Sequence, residues 1–193
     1  MATAAQTTSP PLTYEQYMAE GEINRRYEII DGERIFMPNP TRRHQGILLN
    51  LAEQLHAYER RTHSGKTIIA PSDILIRRAP LRIRQPDVLF ISNERLAQCG
   101  KDTDPAPLTT APELVVEVLS PSDTGRVLEG KLADYRAVGV QECWGVHTNT
   151  QKVEVLRLIL ERAETVATYS GSETLQSATL PGLTLPVAAL FAA

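Results

Sequence analysis

Two short apolar segments each carry one carboxylate: Asp87 in Pro86-Asp87-Val88-Leu89-Phe90-Ile91, and Glu117 in Leu114-Val115-Val116-Glu117-Val118-Leu119. They lie thirty positions apart. An ionised side chain in a sheet core is costly unless it is paired, protonated or bound to a metal. Strand alternation puts Glu117 on one face with Val115 and Leu119, so a carboxylate replaces an aliphatic group there. Asp87 follows a proline at a strand start, where it is expected to be partly solvated. If the strands are neighbours, both acids converge on one hard cation. Mg2+ or Mn2+ suits such oxygen ligands, and the bound ion would polarise a phosphoryl oxygen and activate water. Lys131, fourteen positions past Glu117 on the following helix, is placed to stabilise developing negative charge.

Each residue also has a plainer reading. Asp87 serves equally to begin a strand, Lys131 as a solvated helix residue, and Glu117 as the partner of an arginine. Glu28 lies in an amphipathic strand as either a third acid or half of an ion pair with Arg34 across a hairpin. His44, beside Arg42 and Arg43 near a helix start, is a candidate for phosphate binding or proton transfer, or a capping histidine.

The elements that would position these groups follow from periodicity and turn chemistry. Thr13 to Gln16 form a Thr-x-x-Gln capping box that opens a short helix. Asp31-Gly32 between two apolar runs marks a hairpin, ended by Pro38 and Pro40. Ile47, Leu48, Leu51, Leu55 and Tyr58 predict a long helix over 41–60. Strands are expected at 67–70, 73–77 and 87–91, then a loop over 99–112. The strand at 114–119 is closed by Ser120-Pro121-Ser122, and a helix over 125–138 turns Val127, Leu128, Leu132 and Tyr135 inward. Gly139 stops that helix, and a strand at 142–146 completes a strand–helix–strand unit with a parallel pair. Further strands fall at 152–160, 164–169 and 174–178, and the apolar stretch 183–191 docks on the core.

The 193 residues, 42% hydrophobic and 22% charged, suit a globular domain over 12–193 behind a loose tail at 1–11. No apolar run approaches the ~20 residues of a membrane helix. Two cysteines without a metal-binding spacing make a reducing cytoplasm the default. The net charge of −3 disfavours a nucleic-acid partner, but its distribution does not. Between Arg42 and Arg84, nine basic residues face three acids. Arg42, Arg43, Arg77, Arg78, Arg82 and Arg84 are therefore candidates to grip a DNA backbone.

Several of these segments carry a resemblance. Tyr27-Glu28-Ile29-Ile30-Asp31-Gly32-Glu33, His44, Pro86-Asp87-Val88-Leu89, the run from Pro112 to Ser122, Lys131 with Tyr135, and Gly139-Val140-Gln141-Glu142-Cys143-Trp144 resemble the Uma2 family. That family is grouped with the PD-(D/E)XK restriction-endonuclease-like nucleases. The resemblance implies an α/β fold with a restriction-endonuclease-like core, a mixed β-sheet flanked by helices. It implies a Mg2+- or Mn2+-dependent endonuclease acting on DNA, with Asp87 and Glu117 as metal ligands and Glu28 and His44 near the site. Cutting both strands would call for a homodimer. Three departures stand out. Leu119 occupies the position where the superfamily has its lysine, so Lys131 would substitute from the neighbouring helix. Val146-His147 stands where family members tend to have an aspartate, and Cys143 where a tyrosine is usual. The alternative is a nuclease fold that binds nucleic acid or protein without cutting.

Overall fold

A computed structural model describes residues 10–21, 23, 25–100, 106–120 and 125–192. Most of the expected tail, the middle of the 99–112 loop, and Pro121 and Ser122 of the strand stop lie outside the described residues. In chain order the elements are α1 (Tyr14–Ala19), β1 (Tyr27–Ile30), β2 (Glu33–Phe36), α2 (Arg42–Thr62), β3 (Gly65–Ile69), β4 (Ile74–Arg77), β5 (Arg82–Arg84), β6 (Val88–Ser92), α3 (Asn93–Leu96), β7 (Leu114–Leu119), α4 (Gly125–Val138), β8 (Glu142–His147), β9 (Lys152–Leu158), β10 (Ala163–Ser170), β11 (Thr174–Gln176), β12 (Thr184–Pro186) and α5 (Val187–Leu190).

The central sheet has the order β10-β9-β8-β7-β6-β3. Only β7 and β8 run parallel; the other neighbours are antiparallel. The parallel pair is joined through α4, as the strand–helix–strand pattern requires. A second sheet, β2-β1-β5-β4, carries the hairpin expected at Asp31-Gly32. Both turn residues have positive φ (53° and 82°), the backbone of a type I′ turn.

The two faces of the central sheet bury different helices. Leu114, Val116 and Val118 of β7, with Val88 and Phe90 of β6, pack on Ile47, Leu48, Leu51, Leu55 and Tyr58 of α2. The opposite residues, Val115 of β7 with Leu89 and Ile91 of β6, pack on Leu132 and Tyr135 of α4. Leu51 and Leu55 are fully buried, worth roughly 1.5–3 kcal/mol each in transfer from water. α2 begins where the Thr41 side chain accepts the His44 amide at 3.1 Å, and ends at His63 in a left-handed conformation. At Gly65 an added Cβ would lie 2.2 Å from the Ile91 carbonyl oxygen, so only glycine lets β3 close against β6.

Three expectations change. Val127 is exposed (51%) rather than inward, because α4 turns only its Leu132–Tyr135 side to the sheet. The single mixed sheet expected is divided, with the strand at 73–77 in the second sheet. β5 was not expected at all: Arg-Ile-Arg offers one apolar side chain, yet Ile83 is fully buried against Ile29 and Leu81. The C-terminal stretch docks as β12 and α5, with Leu185, Val187 and Leu190 fully buried.

Candidate active site

Strand pairing brings the two acids together. β6 and β7 are antiparallel with Val88 opposite Val116, and continuing that register sets Asp87 opposite Glu117. By alternation Asp87 shares a face with Leu89, and Glu117 with Val115, which is the α4 side of the sheet. The Asp87 side chain reaches across the strand gap, where its Oδ2 accepts the Val118 amide at 2.8 Å.

Asp87 is buried, not partly solvated as its place after Pro86 suggests (5% exposed). Its other oxygen, Oδ1, accepts Arg26 Nη1 at 2.8 Å. His44 arrives from the first turn of α2 and sets Nε2 3.4 Å from Oδ2. Burial pushes the Asp87 carboxyl up, but the bond to His44, the Arg26 charge and the Val118 amide outweigh it and hold its pKa at about 2.

Glu117 is enclosed from the α4 side. Lys131 Nζ donates to Oε2 at 2.8 Å and the Tyr135 hydroxyl to Oε1 at 2.5 Å. These donors are four residues apart, one turn on a single helix face. The arginine partner considered for Glu117 is thus a lysine and a tyrosine. Burial pushes the Glu117 pKa up, Lys131 offsets this in part, and the charges of Asp87 and Glu28 push it further up. Lys131 is itself buried rather than solvated. Desolvation would lower its pKa, yet Glu117 and Glu28 raise it instead. Burial is the largest cause of the first shift, and the neighbouring carboxylates are the cause of the second.

Glu28 joins from β1. Its Oε1 lies 3.4 Å from Lys131 Nζ and its Oε2 accepts Arg84 Nη1 at 2.6 Å. Its partners are therefore Lys131 and Arg84 and not Arg34, which pairs with Glu20 and stacks over Tyr27. Arg84 also donates Nε to Asp134 Oδ2 at 2.6 Å, and Arg82 donates to Asp134 Oδ1 at 2.9 Å. Asp87, Glu117, Lys131, Glu28 and His44 thus fall in one connected cluster.

The six arginines divide. Arg42 and Arg43 are exposed on the first turn of α2, in no ion pair among the described residues. Arg84 is buried in the cluster, and Arg82 bridges Asp134 and Asp31. Arg77 pairs with Asp31 at 2.5 Å and Arg78 stacks on Tyr14. The Arg84 guanidinium is thus turned inward, away from any surface a DNA backbone could reach. Sequence reasoning missed Arg26, Asp134 and Gln85. Asp134 had a usable signal, since it lies three residues past Lys131 on the same helix.

Among the described residues, no group of three or more His, Cys, Asp or Glu side chains forms a metal cage. The donor set nevertheless fits a small hard cation that keeps most of its waters. Strand register sets the two carboxylates opposite each other, and an ion there would take over oxygens that now accept bonds from Arg26, Val118, Lys131 and Tyr135. Asp87 and Glu117 would supply the protein oxygens.

The family model of Uma2, described as "Putative restriction endonuclease", matches residues 13–188. This chain belongs to the Uma2 family. No curated protein matches it. Among solved structures, it is similar to a "putative nuclease belonging to DUF820" from Anabaena variabilis. That likeness has 17% identity and a TM-score of 0.73, over 94% of this chain and 98% of the other. The Uma2 chain thus shares the mixed α/β nuclease fold of that structure. Among the described residues, no helix is long and apolar enough to cross a membrane.

Proposed function

We propose that this Uma2 protein is a divalent-cation-dependent endonuclease that hydrolyses phosphodiester bonds in DNA. The observation that carries the reading is the pairing of β6 with β7, which sets Asp87 opposite Glu117 beside the Lys131 ammonium. The Uma2 family and the similar Anabaena variabilis protein are both described as nucleases, which points the same way.

In this reading Asp87 and Glu117 would hold Mg2+ or Mn2+, which would supply polarisation of the scissile phosphate and a more nucleophilic water. Lys131, kept protonated by its carboxylates, stabilises negative charge growing on the phosphoryl oxygens. Tyr135 holds Glu117 in its rotamer, and Glu28 fixes Lys131 from the opposite side. His44, on Asp87 at the head of α2, carries a proton to or from solvent. Arg42 and Arg43, exposed beside it, engage the DNA backbone. Residues 12–193 act as one domain, as a homodimer when both strands are cut. Free Cys99 and Cys143 suit a reducing cytoplasm.

One observation favours a second reading. Every oxygen of Asp87 and Glu117 already accepts a bond from within the chain, as expected of a nuclease fold that binds nucleic acid without cutting. Incubation of plasmid DNA with Mg2+ or Mn2+ separates the two. Nicking or linearisation by wild type, lost in Glu117→Gln, supports the endonuclease. Intact plasmid under conditions where the protein binds Mn2+ supports the binding module.

A further inference from the structure

The two oxygens of Asp87 are held in very different ways. Oδ2 is fixed by a main-chain amide, Val118 N at 2.8 Å, inside the sheet. Oδ1 is held by Arg26, whose side chain is 24% exposed against 7% for Asp87. The Arg26 backbone is pinned, since its carbonyl accepts the Met37 amide at 2.9 Å. Its remaining bonds are to one neighbour: Nε to Gln85 Oε1 at 3.1 Å and Nη2 to the Gln85 carbonyl at 3.0 Å. The side chain also lines an open cavity of about 800 Å³, together with Tyr17, Tyr27, Asp73 and Gln85.

A guanidinium and a divalent cation cannot share Oδ1, because like charges at contact repel strongly in a buried site. If Arg26 leaves, Asp87 stays oriented through Oδ2, ready to accept an ion. A phosphodiester is the natural competitor for the guanidinium, which it binds through paired N–H···O bonds. The cavity is roomy enough to seat one beside Arg26, where Arg25 on the lining adds a second cation against Glu20 and Asp73.

We propose that Arg26 is a phosphate-responsive gate on Asp87: it holds Oδ1 in the free protein and transfers to a phosphodiester in the adjoining cavity, opening that oxygen to the cation. The gate rests on the cation site proposed above, and it makes metal loading depend on substrate. By linkage, DNA and metal then each raise the affinity for the other.

The test is Mn2+ affinity, read from the EPR signal of free Mn2+, with and without a short DNA duplex and with the duplex-alone titration subtracted. Arg26→Gln is expected to bind Mn2+ about fivefold tighter or better than wild type when no DNA is present. The duplex is expected to raise the wild-type affinity by a similar factor and to leave Arg26→Gln unchanged. Arg26→Lys keeps the competing charge but not the planar fork, so it is expected to match wild type without DNA and to respond less to it. Equal or weaker Mn2+ binding by Arg26→Gln overturns the gate and leaves the cation site standing. A full duplex response in Arg26→Lys also overturns it. Absence of Mn2+ binding in every protein, with and without duplex, overturns the cation site and the gate together.

Discussion

The Lys131 ammonium lies 2.8 Å from Glu117 Oε2, and both side chains are buried. Each depends on the other, since neither charge has a route to bulk water. Lys131→Met should therefore cost on the order of 3–5 kcal/mol by leaving Glu117 and Glu28 without their shared cation. Adding Glu117→Gln should recover part of that loss, because the double variant no longer strands the central carboxylate. Urea midpoints of the two single variants and the double variant check this. A double variant as unstable as the sum of the singles would mean the ammonium is not coupled to Glu117.

Asp87 makes the metal-free protein sensitive to acid. Its pKa of about 2 lies below the ordinary 3.8, so the native state favours the charged form. That stability is fully present above pH 3.8 and is lost as pH falls through 2, about 2 kcal/mol in all. Glu117 acts in the opposite sense: its pKa is raised from 4.5, so stability is lost as pH rises past that value. Urea unfolding in chelator should show Asp87→Asn flattening the acid limb and Glu117→Gln flattening the decline above pH 4.5.

How much of this was legible depends on whether a residue's role is local or comes from pairing. The parallel β7–α4–β8 unit follows from one apolar strand, one helical face and Gly139. α2 follows from five apolar residues at helical spacing and a threonine cap. Glu117 stood out because it interrupts an apolar face. The environment of Asp87 was not legible, because its burial is produced by Arg26, His44 and Val118, which are remote in sequence or belong to another strand. Arg82 and Arg84 illustrate the same limit. Alternate arginines on a short segment look like a phosphate-binding face until β1 and α4 bring Glu28 and Asp134 against them. β5 itself escaped notice because Ile83 is its only apolar side chain.

If the protein binds DNA as proposed, the division among the arginines predicts two kinds of variant. Arg42 and Arg43 are exposed and unpaired by any acid among the described residues. Replacing both by alanine should leave stability within about 0.5 kcal/mol. The slope of log affinity against log salt should fall by about two if each meets a phosphate. Arg84→Ala should behave in the opposite manner, losing stability because Glu28 and Asp134, both buried, each lose one of two cationic partners. Fluorescence anisotropy with labelled duplex across a salt series, beside urea unfolding, separates the two. An unchanged salt slope in the Arg42/Arg43 variant would remove that turn of α2 from the DNA interface.

A buried carboxylate outside the cluster gives a control for fold without site. Glu142 opens β8 and is 2% exposed. Its Oε1 accepts Trp144 Nε1 and Ser177 Oγ, both at 2.7 Å, while Oε2 accepts the Ala178 and Thr179 amides at 3.0 and 3.3 Å. Four donors satisfy it, and three come from the segment between β11 and β12, so it ties that segment to the central sheet. Glu142→Ala would leave those donors without their acceptor and should cost at least about 3 kcal/mol. Amide exchange should quicken first around 174–186, where the tie is lost, before it does so in β6 or β7. Mn2+ affinity of the folded fraction should match wild type, since no Glu142 bond reaches Asp87, Glu117 or Lys131. A matching loss of Mn2+ affinity would instead mean that the C-terminal segment helps to hold the two acids in register.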